Sequence, residues 1–169
     1  MIPLYLRWAE IGVFKGEFSD KILEHCRPAS LHLVDPWVGR WCNGGKDGNY
    51  DEWIDDLEMV YHQLQRRYND SPEVVLWRST SDDYFHQMNT YAVVKPLDVV
   101  YIDGLHDYES VKKDLNNALN VTARYILGHD YISPRFSGVV DAVDEFCQEN
   151  KLKVSVLTKD GCPSYLIKL

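Results

Sequence analysis

Short apolar, β-branched runs alternate along this chain with longer stretches in which apolar residues recur at every third or fourth position. The runs Leu6–Val13, Ser30–Val34, Glu73–Arg78, Leu97–Ile102, Thr122–Leu127, Lys153–Thr158 and Pro163–Leu169 predict seven strands. The stretches Glu17–His25, Asp51–Tyr68, Ser81–Met88, Tyr108–Asn120 and Val139–Asn150 predict helices. In the second of these, Trp53, Leu57, Val60, Tyr61 and Leu64 fall on one face. Strand and helix in turn is the rhythm of an α/β, doubly wound, mostly parallel sheet covered by helices on both faces. Only Lys159–Cys162 separate the last two runs, too few residues for a crossover helix, so a hairpin is expected there with the final strand antiparallel to its partner.

The stretch Trp37–Tyr50 breaks the rhythm. It holds four glycines and shows no periodicity, so it reads as a loop of 14 residues, well beyond the ~2–6 of an ordinary strand-to-helix connection. A lid or binding loop and a plain surface insertion are both open readings.

Composition narrows the class. With 169 residues and 45% hydrophobic content the chain suits a single domain over 1–169 with one core. A formal net charge of −8 argues against nucleic acid and against anionic membranes as partners, because both present phosphates. No run approaches the ~18–20 apolar residues of a membrane span, and the N-terminus lacks the pattern of a secretory signal; a cytoplasmic location is expected. Cys26, Cys42, Cys147 and Cys162 lie far apart with no C-x-x-C pair, so they are read as reduced thiols and not as a zinc or redox motif.

Four segments carry candidate chemistry. In AEIGVFKGEFS a strand runs into Gly12, and Gly16 opens a helix; glycines there allow a tight turn and close approach to a ligand, while Glu10 is placed to meet a cationic amine. A purely structural turn fits the same residues. In LHLVDPW an apolar strand ends in Asp35, some 19 residues after Gly16, the place at which an acid accepts hydrogen bonds from ribose hydroxyls; a turn cap before Pro36 is the plainer reading. In LDVVYIDGLHDYESVKKDL a strand delivers Asp103 and Gly104, then His106, to the same edge. In ARYILGHDYISPRFSGVV a further strand delivers Gly128, His129, Asp130 and Tyr131. Asp103 and Asp130 would end adjacent strands, close enough to share a divalent cation through hard oxygens, with His129 or His106 as nitrogen ligand or base. The histidines at 25, 32, 62 and 86 lack an acidic or cysteine neighbour at ligand spacing, and Asp55, Asp56 and Glu58 read as a solvated helix face.

With these segments in hand, the chain resembles the class I S-adenosylmethionine-dependent methyltransferases, in particular methyltransferase domain family 24, which includes the macrocin-type sugar O-methyltransferases. The resemblance runs from Glu10 to Leu169 and rests on EIGVFKGEFS, LVDPW, the Ser79–Ser81 segment, YIDGLHDYESVKKDL, and GHDY followed by FSGVVDAVDEF. It implies a Rossmann-like seven-stranded sheet with an antiparallel terminal hairpin. It implies that Glu10, Gly12 and Gly16 hold the methionine part of S-adenosyl-L-methionine, that Asp35 holds the ribose, and that Ser81 lies near the adenine. Asp103 would touch both cofactor and substrate as base or metal ligand, His106 would be the alternative base, and Asp103, His129 and Asp130 would form a magnesium site. The implied reaction is O-methylation of a sugar or other small-molecule hydroxyl, with the Trp37–Tyr50 loop or a second copy in a homo-oligomer governing substrate choice. Two alternatives remain open from the residues: a metal-dependent hydrolase using Asp103, His106, His129 and Asp130, and a non-catalytic binding module that keeps the fold.

Overall fold

The computed structural model describes residues 2–44, 50–91, 96–132 and 135–169, with 40–44, 50–55 and 91 described through their backbone alone. The elements in chain order are β1 (Arg7–Ile11), α1 (Glu17–Cys26), β2 (Ser30–Asp35), β3 (Arg40–Gly44), β4 (Tyr50–Asp56), α2 (Leu57–Arg67), β5 (Val74–Arg78), α3 (Ser81–Tyr91), β6 (Leu97–Ile102), α4 (Tyr108–Val121), β7 (Thr122–Gly128), α5 (Ser137–Asn150), β8 (Val154–Leu157) and β9 (Tyr165–Lys168). Seven strands form one sheet in the order β5-β2-β1-β6-β7-β9-β8, matching the seven runs read from the sequence.

From β5 to β7 the strands are parallel, and the last strand, β9, inserts between β7 and β8 antiparallel to both. The chain therefore winds outward in one direction from β1 through β2 to β5, and in the other through β6 to β7. That reversal places the crevice used by ligands in doubly wound sheets at the carboxyl ends of β1 and β6.

Alternation along each strand sends successive side chains to opposite faces. Ala9, Ile11, Val100 and Ile102 join Leu115, Val143 and Phe146 on the face covered by α3, α4 and α5. Trp8, Leu31, Leu33 and Val99 join Ile22, Val60 and Leu64 on the face covered by α1 and α2. Glu10 shares the parity of Trp8, so its carboxyl points toward α1 and not toward solvent.

The segment Trp37–Tyr50 and the helix expected from Asp51 need correction. Arg40–Gly44 and Tyr50–Asp56 pair antiparallel as a separate two-stranded sheet, and α2 begins only at Leu57; residues 45–49 of the expected loop lie outside the described residues. The boundary has a local cause. Asp56 accepts hydrogen bonds from the backbone N–H groups of Glu58 and Met59 at 3.0 and 3.4 Å, which caps the helix there, while Tyr50, Trp53 and Ile54 before it favour strand. Asp56 and Glu58 are thus a cap and, as shown below, an ion-pair partner, not simply a solvated face.

Among the described residues no helix is long and apolar enough to cross a membrane. Cys26, Cys147 and Cys162 are free thiols, and the side chain of Cys42 lies outside the described residues.

Candidate active site

The first turn after β1 is built from three left-handed residues, Gly12, Phe14 and Gly16, with φ of 84°, 50° and 75°. Gly16 ends the turn by donating from its N–H to the Val13 carbonyl at 2.9 Å. Gly12 is required by the protein's own packing, Gly16 chiefly by its left-handed backbone. A Cβ on Gly12 would lie 2.1 Å from the Asp103 carbonyl oxygen, and one on Gly16 would lie 2.8 Å from Leu64 Cδ2. The close approach anticipated between glycine backbone and ligand is therefore, in part, an approach between β1 and the end of β6. Phe14 enjoys no such freedom, and a left-handed non-glycine costs about 1–3 kcal/mol unless its surroundings hold it.

Those surroundings are the tail of β2. Asp35 Oδ2 accepts from the N–H groups of Val13 and Phe14 at 3.1 and 3.0 Å. Its Oδ1 accepts from the N–H of Trp37 at 2.7 Å. Successive N–H groups converging on an oxyanion form the concavity that binds anions elsewhere; here the anion is the chain's own carboxylate. Asp35 is thus a turn cap, as its plainer reading held, and at the same time stands at the carboxyl end of β2 beside the crevice.

Glu10 is 1% exposed and accepts a hydrogen bond from Ser19 Oγ on α1 at 2.6 Å. Burial pushes its carboxyl up to about 8, and the Ser19 bond only partly opposes that. The charges acting on it add to the push, since they are the carboxylates of Asp103, Asp35 and Asp20. Glu10, Asp35 and Asp103 therefore share one electrostatic site at the carboxyl ends of β1, β2 and β6.

Asp103 and Asp130 leave adjacent strands, β6 and β7, as expected from the sequence. His106 lies between them, with Nε2 at 3.0 Å from Asp130 Oδ2 and 3.5 Å from Asp103 Oδ1. His129 Nδ1 is 3.3 Å from Asp130 Oδ1 and 3.9 Å from Asp103 Oδ1. Asp130 adopts a left-handed backbone, with φ of 58°, and its side chain is 9% exposed. The Asp103 carboxylate first, and then that of Asp130, holds the His106 imidazole above its ordinary range against partial burial. The His106 ring also rests 5.0 Å from that of Phe136. One donor atom each from Asp103, His129 and Asp130 lie within 4.8 Å of one another. Two carboxylates and an imidazole at that spacing suit a divalent ion, the carboxylates favouring a hard one and the imidazole broadening the choice. Asp103 does not cap α4; Asp107 does, accepting from Ser110 N–H at 3.0 Å.

At the far side of the crevice Ser81 opens α3, where the resemblance places the adenine. Its hydroxyl is bonded to the carboxyl of Asp114 on α4, which is 6% exposed and which burial pushes up to about 6. Nearby at the end of β5, Ser79 Oγ is buried without a hydrogen-bond partner among the described residues, an orphan of the kind a ligand satisfies. Sequence reasoning missed Ser19, Trp37 and Asp114. Ser19 lies three residues past Gly16, on the first turn of α1, and that spacing was a usable signal. Asp114 looked like any acid on a charged helix, because nothing in KKDL distinguishes its inward position.

The doubly wound sheet thus carries an acidic crevice at its carboxyl edge, with a Ser79 hydroxyl that has no partner among the described residues at the end of β5. The chain belongs to the class I S-adenosylmethionine-dependent methyltransferases, in the family described as "Methyltransferase domain", which it matches over residues 9–131. No curated protein sequence matches it. Among solved structures it is similar to a candidate caffeoyl-CoA O-methyltransferase from Staphylococcus aureus, with 14% identity and a TM-score of 0.65 over 97% of this chain and 76% of that one. It is similar also to a ribosomal protein L11 methylase from Lactobacillus delbrueckii subsp. bulgaricus, at 12% identity and TM-score 0.60 over 96% of this chain and 69% of that one. A spermidine synthase from Thermotoga maritima gives 12% identity and TM-score 0.61 over 98% of this chain and 54% of that one. At these identities the structures share the fold.

Proposed function

We propose that this protein transfers a methyl group from S-adenosylmethionine to a hydroxyl of a small molecule, a sugar being the favoured class, with a divalent ion at Asp103, His129 and Asp130. The observation that carries the cofactor assignment is the electrostatics of the first turn. Its anion cradle is filled by Asp35, and the charges that act on buried Glu10 beside it are carboxylates. A pyrophosphate, the ligand of dinucleotide-binding relatives of this fold, meets occupied N–H groups and repulsion. A ligand carrying an ammonium and a sulfonium meets favourable charge.

Glu10 and the turn from Gly12 to Gly16 face the amino-acid part of such a ligand, Asp35 the ribose, and Ser79 and Ser81 the adenine. When bound, S-adenosylmethionine supplies an electrophilic methyl group on a cationic sulfur. Displacement from it needs a nucleophile held in line, so positioning supplies most of the rate. Asp103 sits where an acceptor hydroxyl approaches, and His106 Nε2, 3.5 Å from Asp103 Oδ1 and 3.0 Å from Asp130 Oδ2, takes the hydroxyl proton. A divalent ion on Asp103, His129 and Asp130 would orient that hydroxyl and lower its pKa. The net charge of −8 supports a small acceptor over a polyanion. The hydrolase reading leaves Glu10, Gly12, Gly16 and Asp35 without a task, and the family gives it no support.

Asp103→Ala should lower methyl transfer by roughly 10²–10⁴-fold, the range for disabling general-base catalysis, since Asp103 both holds His106 and supplies an oxygen to the ion. Its affinity for S-adenosylhomocysteine should stay within several-fold of the parent by calorimetry. Undiminished transfer from labelled methyl donor to sugar or phenolic acceptors would remove Asp103 from the reaction.

A further inference from the structure

The first turn holds a phenylalanine in a backbone conformation that phenylalanine avoids, at φ of 50°. Both polar groups of the Phe14 backbone are tied to the end of β2 and the segment just after it. Its N–H donates to Asp35 Oδ2 at 3.0 Å, and its carbonyl accepts from the indole N–H of Trp37 at 3.0 Å. Trp37 is itself completely buried and left-handed, with φ of 41°. Its backbone N–H is fixed on Asp35 Oδ1 at 2.7 Å, and its carbonyl accepts from Arg78 Nη2 at 3.3 Å. Arg78 in turn is paired with Glu58 at the start of α2, and the Trp37 ring lies 5.2 Å from that of Tyr61 on the same helix. A continuous line of support thus runs from α2 and β5 through Trp37 to the cofactor turn.

We propose that Trp37 is a positioning residue for the cofactor: its indole N–H, together with Asp35, locks the Val13–Phe14 turn in the shape that receives the amino-acid and ribose parts of the ligand. This rests on the S-adenosylmethionine reading above. The role follows from geometry. The indole nitrogens of Trp8 and Trp77 are buried with no partner among the described residues, whereas the Trp37 N–H is aimed at the carbonyl of left-handed Phe14. Turns held ready in the bound shape spare the ligand the ordering cost, so releasing this one appears as lost affinity.

The test is Trp37→Phe, which keeps an aromatic ring in the core and removes the N–H. Affinity for S-adenosylhomocysteine should fall by about tenfold, the loss of one well-placed hydrogen bond. The amide protons of Val13 and Phe14 should exchange with solvent about tenfold faster in the ligand-free variant, as local opening becomes easier. A role in packing alone moves neither quantity in this way, so unchanged exchange at both amides overturns the proposal. If the variant fails to fold, the wild-type protein decides: the Trp37 indole and Phe14 amide protons should be strongly protected without ligand, and free exchange at either one refutes the lock. Wild-type protein that ignores S-adenosylhomocysteine while keeping those protons protected would overturn the cofactor reading and the positioning role that rests on it, leaving only a structural lock.

Discussion

Glu10 shows how much a single residue's environment can change its chemistry. As a letter in AEIGVF it is an acid at a strand end, and its place at the carboxyl edge of the sheet was legible. Its burial against α1 and its bond to Ser19 were not, because they depend on which face of β1 the helix covers. With its carboxyl pushed up to about 8 from an ordinary value of 4.5, Glu10 keeps a proton in the folded protein that the unfolded chain has already lost. Stability of the ligand-free protein should therefore decline as pH rises through that window, with the loss complete above about 8. Urea unfolding across the window checks this, and Glu10→Gln should flatten the decline; an equal slope in the variant would assign it to other groups. A cationic ligand favours the ionised carboxylate, so S-adenosylmethionine binding near neutral pH should release a proton, visible as a dependence of calorimetric heat on buffer ionisation enthalpy.

At the scale of elements, the strands and helices of the main sheet were legible because their periods, two and roughly three and a half, are imposed by burial on one face. The β3–β4 hairpin was not legible. Trp53 and Leu57 are spaced as a helix face by coincidence, and the decisive signal was Asp56, which read as surface charge yet caps α2. Asp56→Ala should cost about 1 kcal/mol in chemical denaturation, the usual worth of such a cap; no change would show that α2 does not depend on it. Gly12 carries a different lesson. The sequence marks it as a turn glycine, and its necessity in the fold lies in the contact between β1 and β6, where an added Cβ would sit 2.1 Å from the Asp103 carbonyl. Gly12→Ala should destabilise the fold by more than about 2 kcal/mol, from steric overlap and an unfavourable φ together, and displace Asp103. A variant of parental stability would show that the two strands can part at little cost.

Across the whole molecule, the order β5-β2-β1-β6-β7 gathers at one rim acids that the sequence spreads over 120 positions, from Glu10 to Asp130. The sequence announced each strand end but could not reveal that Asp35 would turn back onto the first turn, or that Asp114 would reach Ser81, since those contacts arise only when separate units pack. If the Asp103, His129 and Asp130 cluster holds an ion, chelation should depress methyl transfer and added manganese or magnesium should restore it; activity indifferent to chelator would reduce the cluster to a set of hydrogen-bonded bases. The cofactor assignment itself rests on a rim that welcomes positive charge and has already filled its own anion cradle. Calorimetric titration of the wild-type protein with S-adenosylhomocysteine and, separately, with NAD tests this most directly. Stoichiometric binding of the first and none of the second is the expected result; binding of NAD, or no heat from S-adenosylhomocysteine, would contradict it.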